Sequence, residues 1–135
     1  MKQIVVGTFE IGYDRATVIL RSGTGGNIIF SPEGNGVAHI FIGADFKQWR
    51  DVIGTLLHEC MEFCMSKMEC SYRPGNFISH DSANYHFVMN HMQFSECCCR
   101  SSELITPAIP VLAKAWNRWN ADKKKTTPHK KKAKK

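Results

Sequence analysis

The first 45 residues alternate short apolar, β-branched runs with turn residues. Ile4-Val5-Val6, Thr17-Val18-Ile19-Leu20 and Asn27-Ile28-Ile29-Phe30 read as strands. Gly23-Thr24-Gly25-Gly26, between the second and third, predicts a hairpin, and Pro32-Glu33-Gly34-Asn35-Gly36 predicts another turn. Val37-Ala38-His39-Ile40-Phe41-Ile42 follows as a fourth strand, with Val37, His39 and Phe41 on one side. A small, mostly antiparallel N-terminal sheet is the expectation.

The period changes at Asp45, which suits a helix N-cap, and a helical pattern runs from Phe46 to about Met68. At 100° per residue, Trp49, Val52, Ile53, Leu56, Cys60, Phe63 and Cys64 share one face. Leu57, Met61, Met65 and Met68 form an apolar shoulder beside it. The polar remainder is a narrow stripe of Asp51, Thr55, His58, Glu59, Glu62, Ser66 and Glu69. A helix apolar over most of its circumference is packed on several sides, so this one belongs at the centre of the domain.

Arg73-Pro74-Gly75-Asn76 breaks the pattern, and 71–84 reads as a loop. Tyr85-His86-Phe87-Val88 is a short strand or the lead-in to a second helix, which spans about Met92 to Glu103. Thr106-Pro107 supplies an N-cap and a first-turn proline for a third helix reaching Trp116 and Trp119; Pro110 still falls in that first turn. The fold class is therefore α+β: a small sheet with two to three helices packed on it and a disordered, basic C-terminal tail. The domain covers 1–120 and the tail 121–135.

At 135 residues, 43% hydrophobic and 22% charged, the composition is that of one globular domain, and no apolar run approaches a membrane span. The N-terminus lacks the apolar stretch of a signal peptide, which predicts a cytoplasmic protein. The net charge of +6 invites a nucleic-acid reading, but residues 121–135 hold eight Lys against one Asp, so residues 1–120 carry −1. The basic character belongs to Lys123, Lys124, Lys125, Lys130, Lys131, Lys132, Lys134 and Lys135. These can add salt-sensitive, non-specific contact with nucleic acid, or simply solubility. No aromatic residue interleaves them, so a stacking platform is not indicated. Trp116, Arg118 and Trp119 either present an aromatic pair beside the tail or pack back onto the domain.

Leu56-Leu57-His58-Glu59-Cys60-Met61-Glu62 carries the sharpest chemistry. His58 and Glu62 are four residues apart on one helix face, so an imidazole and a carboxylate can reach one divalent cation. Glu59 lies beside them, placed to take a proton from a water the ion activates. Without metal, the same residues make a solvated stripe with an intrahelical pair worth a few tenths of a kcal/mol, on the order of 0.2–0.5. His80, Asp81, His86 and His91 follow within twelve positions. If the next helix packs antiparallel, His91 becomes a third ligand, leaving one position open for water; Glu96 is a further candidate.

His58-Glu59-x-x-Glu62 resembles the His-Glu-x-x-His helix of the zincin metallopeptidases. That resemblance implies a Zn²⁺ ligand at His58, a general base at Glu59 and a preceding small sheet; it departs where the second histidine is Glu62. The chain also resembles a family of small bacteriophage and prophage proteins sharing a Leu-Leu-His-Glu helix and a segment like Tyr85-His86-Phe87…His91-Met92-Gln93-Phe94-Ser95-Glu96. This second resemblance covers most of 37–116 and implies a phage origin, hence a host cell's cytoplasm, without assigning chemistry.

Two alternatives stay open. Cys60 and Cys64, i and i+4, with two of Cys97, Cys98 and Cys99, could build a closed structural zinc site, or they serve as small apolar core residues. In function, a phage-type accessory protein with a zincin-like metal site, hydrolytic through His58, Glu62, His91 and Glu59, stands against a non-catalytic binding module. The latter is a host-factor inhibitor, anti-defence protein or nucleotide-sequestering protein, with a host protein or small molecule as partner and homo-oligomerisation allowed. Gly23-Thr24-Gly25-Gly26 lacks the Lys-Ser/Thr and helix start of a phosphate loop.

Overall fold

β1 (Gln3–Ile11) and β2 (Asp14–Arg21) pair antiparallel around the two-residue turn Gly12-Tyr13, with a bulge between Val5 and Gly7. β3 (Gly26–Ile29) and β4 (Val37–Gly43) form a second antiparallel pair. These elements come from a computed structural model that describes residues 2–31, 33–72 and 86–126. The two pairs join through a parallel ladder between β2 and β4, giving the strand order β1-β2-β4-β3.

This arrangement corrects the hairpin expected between the second and third strands: β2 and β3 are not neighbours, because β4 lies between them. The reason is burial. Ala38, Ile40, Phe41 and Ile42 of β4 are all buried, so this strand takes a central place with partners on both sides. The four residues of β3 alternate between half-buried and exposed, as an edge strand does. The glycine-rich segment instead crosses the end of β4, where Gly43 N–H donates to Gly25 O at 2.7 Å and Ala44 N–H to Arg21 O at 2.8 Å. The approach is so close that a Cβ on Gly43 would lie 2.6 Å from Gly23 O and from Thr24 Cα.

α1 (Trp49–Lys67) packs on β3 and β4, and α2 (His91–Thr126) packs on β1, β2 and α1, so one sheet face is covered by two helices. The core is Ala16, Val18 and Leu20 of β2, Ala38, Ile40 and Ile42 of β4, the expected Val52, Leu56, Cys60, Phe63 and Cys64 face of α1, and a stripe of α2. Val37, His39 and Phe41 share the opposite sheet face, as their alternation predicts. There the Arg21 guanidinium lies 4.8 Å over the Phe41 ring. A two-residue pair, β5 (Ser71–Tyr72) with β6 (His86–Phe87), links the helices. The 73–85 segment, with His80 and Asp81, lies outside the described residues, as do Lys130, Lys131, Lys132, Lys134 and Lys135.

α1 starts later than its pattern suggests. Its N-cap is Gln48, which makes no side-chain capping bond, and Asp45 is engaged elsewhere. It ends in a Schellman arrangement: Cys70 N–H donates to Met65 O at 2.9 Å and Glu69 N–H to Ser66 O at 3.2 Å, with Glu69 at φ 55°. α2 opens on a reciprocal capping box, Asn90 N–H to Gln93 Oε1 and Gln93 N–H to Asn90 Oδ1, both 2.9 Å.

α2 then runs unbroken for 36 residues, where a boundary near Thr106 was expected, and takes in residues 121–126 assigned to the tail. Pro107 and Pro110 remove two backbone donors and would ordinarily break a helix interior. Here both prolines are exposed, and so are Glu103 and Thr106, whose carbonyls lose their partners to solvent rather than to the core. The opposite stripe, Cys97, Ser101, Leu104, Ala108, Leu112 and Trp119, is buried and continuous across the expected break. At roughly 25 cal/mol per Å² of apolar surface removed from water, burial of that stripe offsets the cost of two interior prolines, about 3 kcal/mol each.

Candidate functional site

The polar stripe of α1 borders the segment that crosses β4. Gly25, Gly26, Phe46, Asp51, Gly54, Thr55, His58 and Glu59 line an open cleft of about 550 Å³. Asp45, next to Phe46 in sequence, is tied on three sides: Gly23 N–H donates to Asp45 Oδ2 at 2.6 Å, Trp119 Nε1 donates to Oδ1 at 3.0 Å, and Lys123 pairs with Oδ1. Lys123 holds the Asp45 carboxyl below its ordinary value, with Gly23 and Trp119 adding to the effect against partial desolvation. The sequence-predicted cap is thus a clamp joining the β2–β3 connection to α2.

His58, Glu59 and Glu62 each offer a donor atom within 4.8 Å of the other two, and among the described residues this is the one group of three that does so. His58 Nε2 lies 3.4 Å from Glu62 Oε2, with His58 largely exposed and Glu62 half-buried. Two donors held about 2.1 Å from one ion at a tetrahedral angle sit about 3.4 Å apart, so the spacing fits Zn²⁺ as well as a plain ion pair.

Glu59 differs from its expected place on a solvated stripe. It is 5% exposed, with its side chain against the Gly26 backbone: a Cβ on Gly26 would lie 2.2 Å from Glu59 Oε1. Only glycine leaves room for the carboxylate there. Burial pushes the Glu59 carboxyl up, and the Glu62 charge acts in the same direction; His58 and Arg21 offset part of it. Among the described residues no hydrogen bond or ion pair to this carboxylate is formed, and its oxygens keep access to the open cleft. A cation beside it would relieve both repulsion and desolvation.

His91 is the first residue of α2 and is exposed; it is not in the three-residue group. Glu96 is held by Arg100, Nε to Oε1 at 2.7 Å. The cysteines take the core alternative. Cys60, Cys64 and Cys97 are buried at the α1–α2 contact, where Cys97 Sγ lies 3.5 Å from Met61 O and Ser101 Oγ lies 3.5 Å from Cys64 Sγ. Cys98 and Cys99 are exposed on the other side of the helix. Burial raises the thiols of Cys60 and Cys64 and pushes Cys97 up to about 12, so without a metal they stay protonated and pack as small apolar groups.

Gly26 and Arg21 escaped the sequence reading, because both act on Glu59 across the sheet rather than along the helix. The glycine next to a turn was the available signal. Among the described residues, no helix is long and apolar enough to cross a membrane. Comparison with protein-family models, curated proteins and solved structures gives no significant match, and function is argued from the geometry.

Proposed function

We propose that α1 carries a divalent-cation site made by His58, Glu62 and Glu59, with Zn²⁺ the ion that suits one imidazole and two carboxylates, and that the chain is a phage-type accessory protein working through it. The observation that carries this reading is the 3.4 Å spacing of His58 Nε2 and Glu62 Oε2 beside a buried carboxylate that lacks a counter-charge in bonding contact. The open cleft leaves space for a ligand next to the group.

Two chemistries fit, and Glu59 separates them. In a metal-dependent hydrolase, His58 and Glu62 hold the ion with a ligand from elsewhere, His91 being the sequence's candidate, and Glu59 acts as base. In a non-catalytic binding module all three residues hold the ion. The packing of Glu59 against Gly26 favours the second, since it sets the carboxylate beside His58 and Glu62 as a third donor.

The test is calorimetric titration of Zn²⁺ into the chelator-treated full chain, with His58→Ala, Glu62→Gln and Glu59→Gln beside the wild type. One site per chain, lost in the first two variants, supports the proposal. Loss in Glu59→Gln as well selects the binding module; retained uptake with abolished peptidase or esterase turnover selects the hydrolase. Uptake unchanged in His58→Ala would overturn both.

A further inference from the structure

A second cleft lies on the other side of Phe46. Phe46, Trp116, Asn117, Asn120, Lys47 and Lys124 border an opening of about 530 Å³, with Lys123 at its edge. It takes no part in the proposed metal site, although Phe46 walls both. The lysine tail is devoid of aromatic residues, but the fold brings two aromatic rings to its start.

Each component has a definite state. The Trp116 ring is fixed at both ends, with Nε1 donating to Ala44 O at 3.2 Å and its ring tilted against Trp49 at a centroid distance of 5.5 Å. It is half-buried, as is Phe46, so both keep surface in the cleft. Lys123 is committed to Asp45, whereas Lys47 and Lys124 are exposed and make no ion pair among the described residues. The side-chain amides of Asn117 and Asn120 likewise have no hydrogen-bond partner among the described residues. Flat apolar rings, amides that can donate and accept, and two uncommitted cations match, in order, the face of a nucleobase, its edge, and phosphate. An acidic peptide would use the lysines and leave the rings without a role.

We infer that the Phe46–Trp116 cleft binds a nucleotide unit, with the base against Trp116 and the phosphate at Lys47 and Lys124. The unit comes from a single strand or from a free nucleotide.

The experiment uses the full-length protein, a fluorescein-labelled 12-mer of deoxythymidine followed by anisotropy, and ATP followed by tryptophan quenching. Three variants are compared with the wild type: Lys47→Glu/Lys124→Glu at exposed positions, Trp116→Phe, and a tail with Lys130, Lys131, Lys132, Lys134 and Lys135 changed to Gln. Circular dichroism checks that each is folded. Lys47→Glu/Lys124→Glu is expected to weaken binding at least about tenfold, and to reduce the slope of log K against log salt by about 1.4, as two phosphate contacts predict. Trp116→Phe keeps a ring, so it is expected to lose the quenching while holding affinity within about threefold. Displacement of the 12-mer by ATP at comparable concentration identifies a free nucleotide as the source; displacement only at far higher ATP concentration identifies a strand, and no displacement at all places the 12-mer outside the cleft and overturns the inference. The inference is overturned if neither probe binds the wild type, or if Lys47→Glu/Lys124→Glu binds as tightly as wild type whatever the tail does.

Discussion

Gly26→Ala tests the packing on which the candidate site rests. The added Cβ would stand 2.2, 2.6 and 2.7 Å from Glu59 Oε1, Cδ and Cγ, whereas carbon-type contacts settle at about 3.5–4.0 Å. The carboxylate must therefore retreat by about 1.3 Å or more, out of its place beside β3. The displaced atoms end a flexible side chain rather than belong to backbone, so the cost is that of ordinary overpacking, about 1–3 kcal/mol. Gly26 does not sit at positive φ, so alanine adds no backbone strain there; where space exists, Gly→Ala stabilises by about 0.4–1 kcal/mol. In a Glu59→Ala background the same change should be neutral or slightly stabilising. The assay is urea unfolding of the four proteins of the cycle, followed by circular dichroism in the presence of chelator. A coupling of about 1–3 kcal/mol between the two positions is expected. If Gly26→Ala costs the same with and without Glu59, to within about 0.5 kcal/mol, the reasoning is refuted.

Three other outcomes follow from single interactions. Asp45→Asn should lower the melting temperature at neutral pH. Because the folded-state pKa of Asp45 lies below its ordinary 3.8, its contribution is present above that value and lost as pH falls through the folded one; the gap between variant and wild type should thus narrow in acid, and a gap that stays constant to pH 2–3 contradicts the clamp. Glu69→Gly should stabilise by about 1 kcal/mol, raising the melting temperature by about 3–5 °C, since Glu69 occupies the left-handed C′ position of α1; no gain would remove strain from that cap. With a thiol-exchange reagent the native protein should release two fast equivalents, from Cys98 and Cys99, and four only on unfolding; fast reaction of Cys60 or Cys97 would contradict their burial.

The four strands and the core face of α1 were legible because each depends on periodicity within one segment. What was not legible depended on contacts between segments. The β2–β3 hairpin follows from local turn chemistry, and only the need of Ile40 and Ile42 for neighbours on both sides of β4 overrules it. Pro107 and Pro110 read locally as a helix start, yet the apolar stripe from Leu104 to Trp119 carries the helix through them. Asp45 has the chemistry of a cap and uses it on Gly23, Trp119 and Lys123 instead. In the site, the i, i+4 geometry of His58 and Glu62 was readable from spacing alone. The burial of Glu59 was not, because it depends on a glycine 33 positions earlier in the chain.

The central claim, a cation held by the α1 stripe, is tested most directly by elemental analysis of the untagged, purified protein by mass spectrometry, alongside His58→Ala and the Cys97→Ser/Cys98→Ser/Cys99→Ser triple variant. His58 is largely exposed, so its removal should leave the fold intact. The account predicts one equivalent of zinc per chain in the wild type and the triple variant, and none in His58→Ala. Metal lost only with the cysteines, or no metal in any of the three, would contradict it and leave His58, Glu59 and Glu62 as a polar stripe.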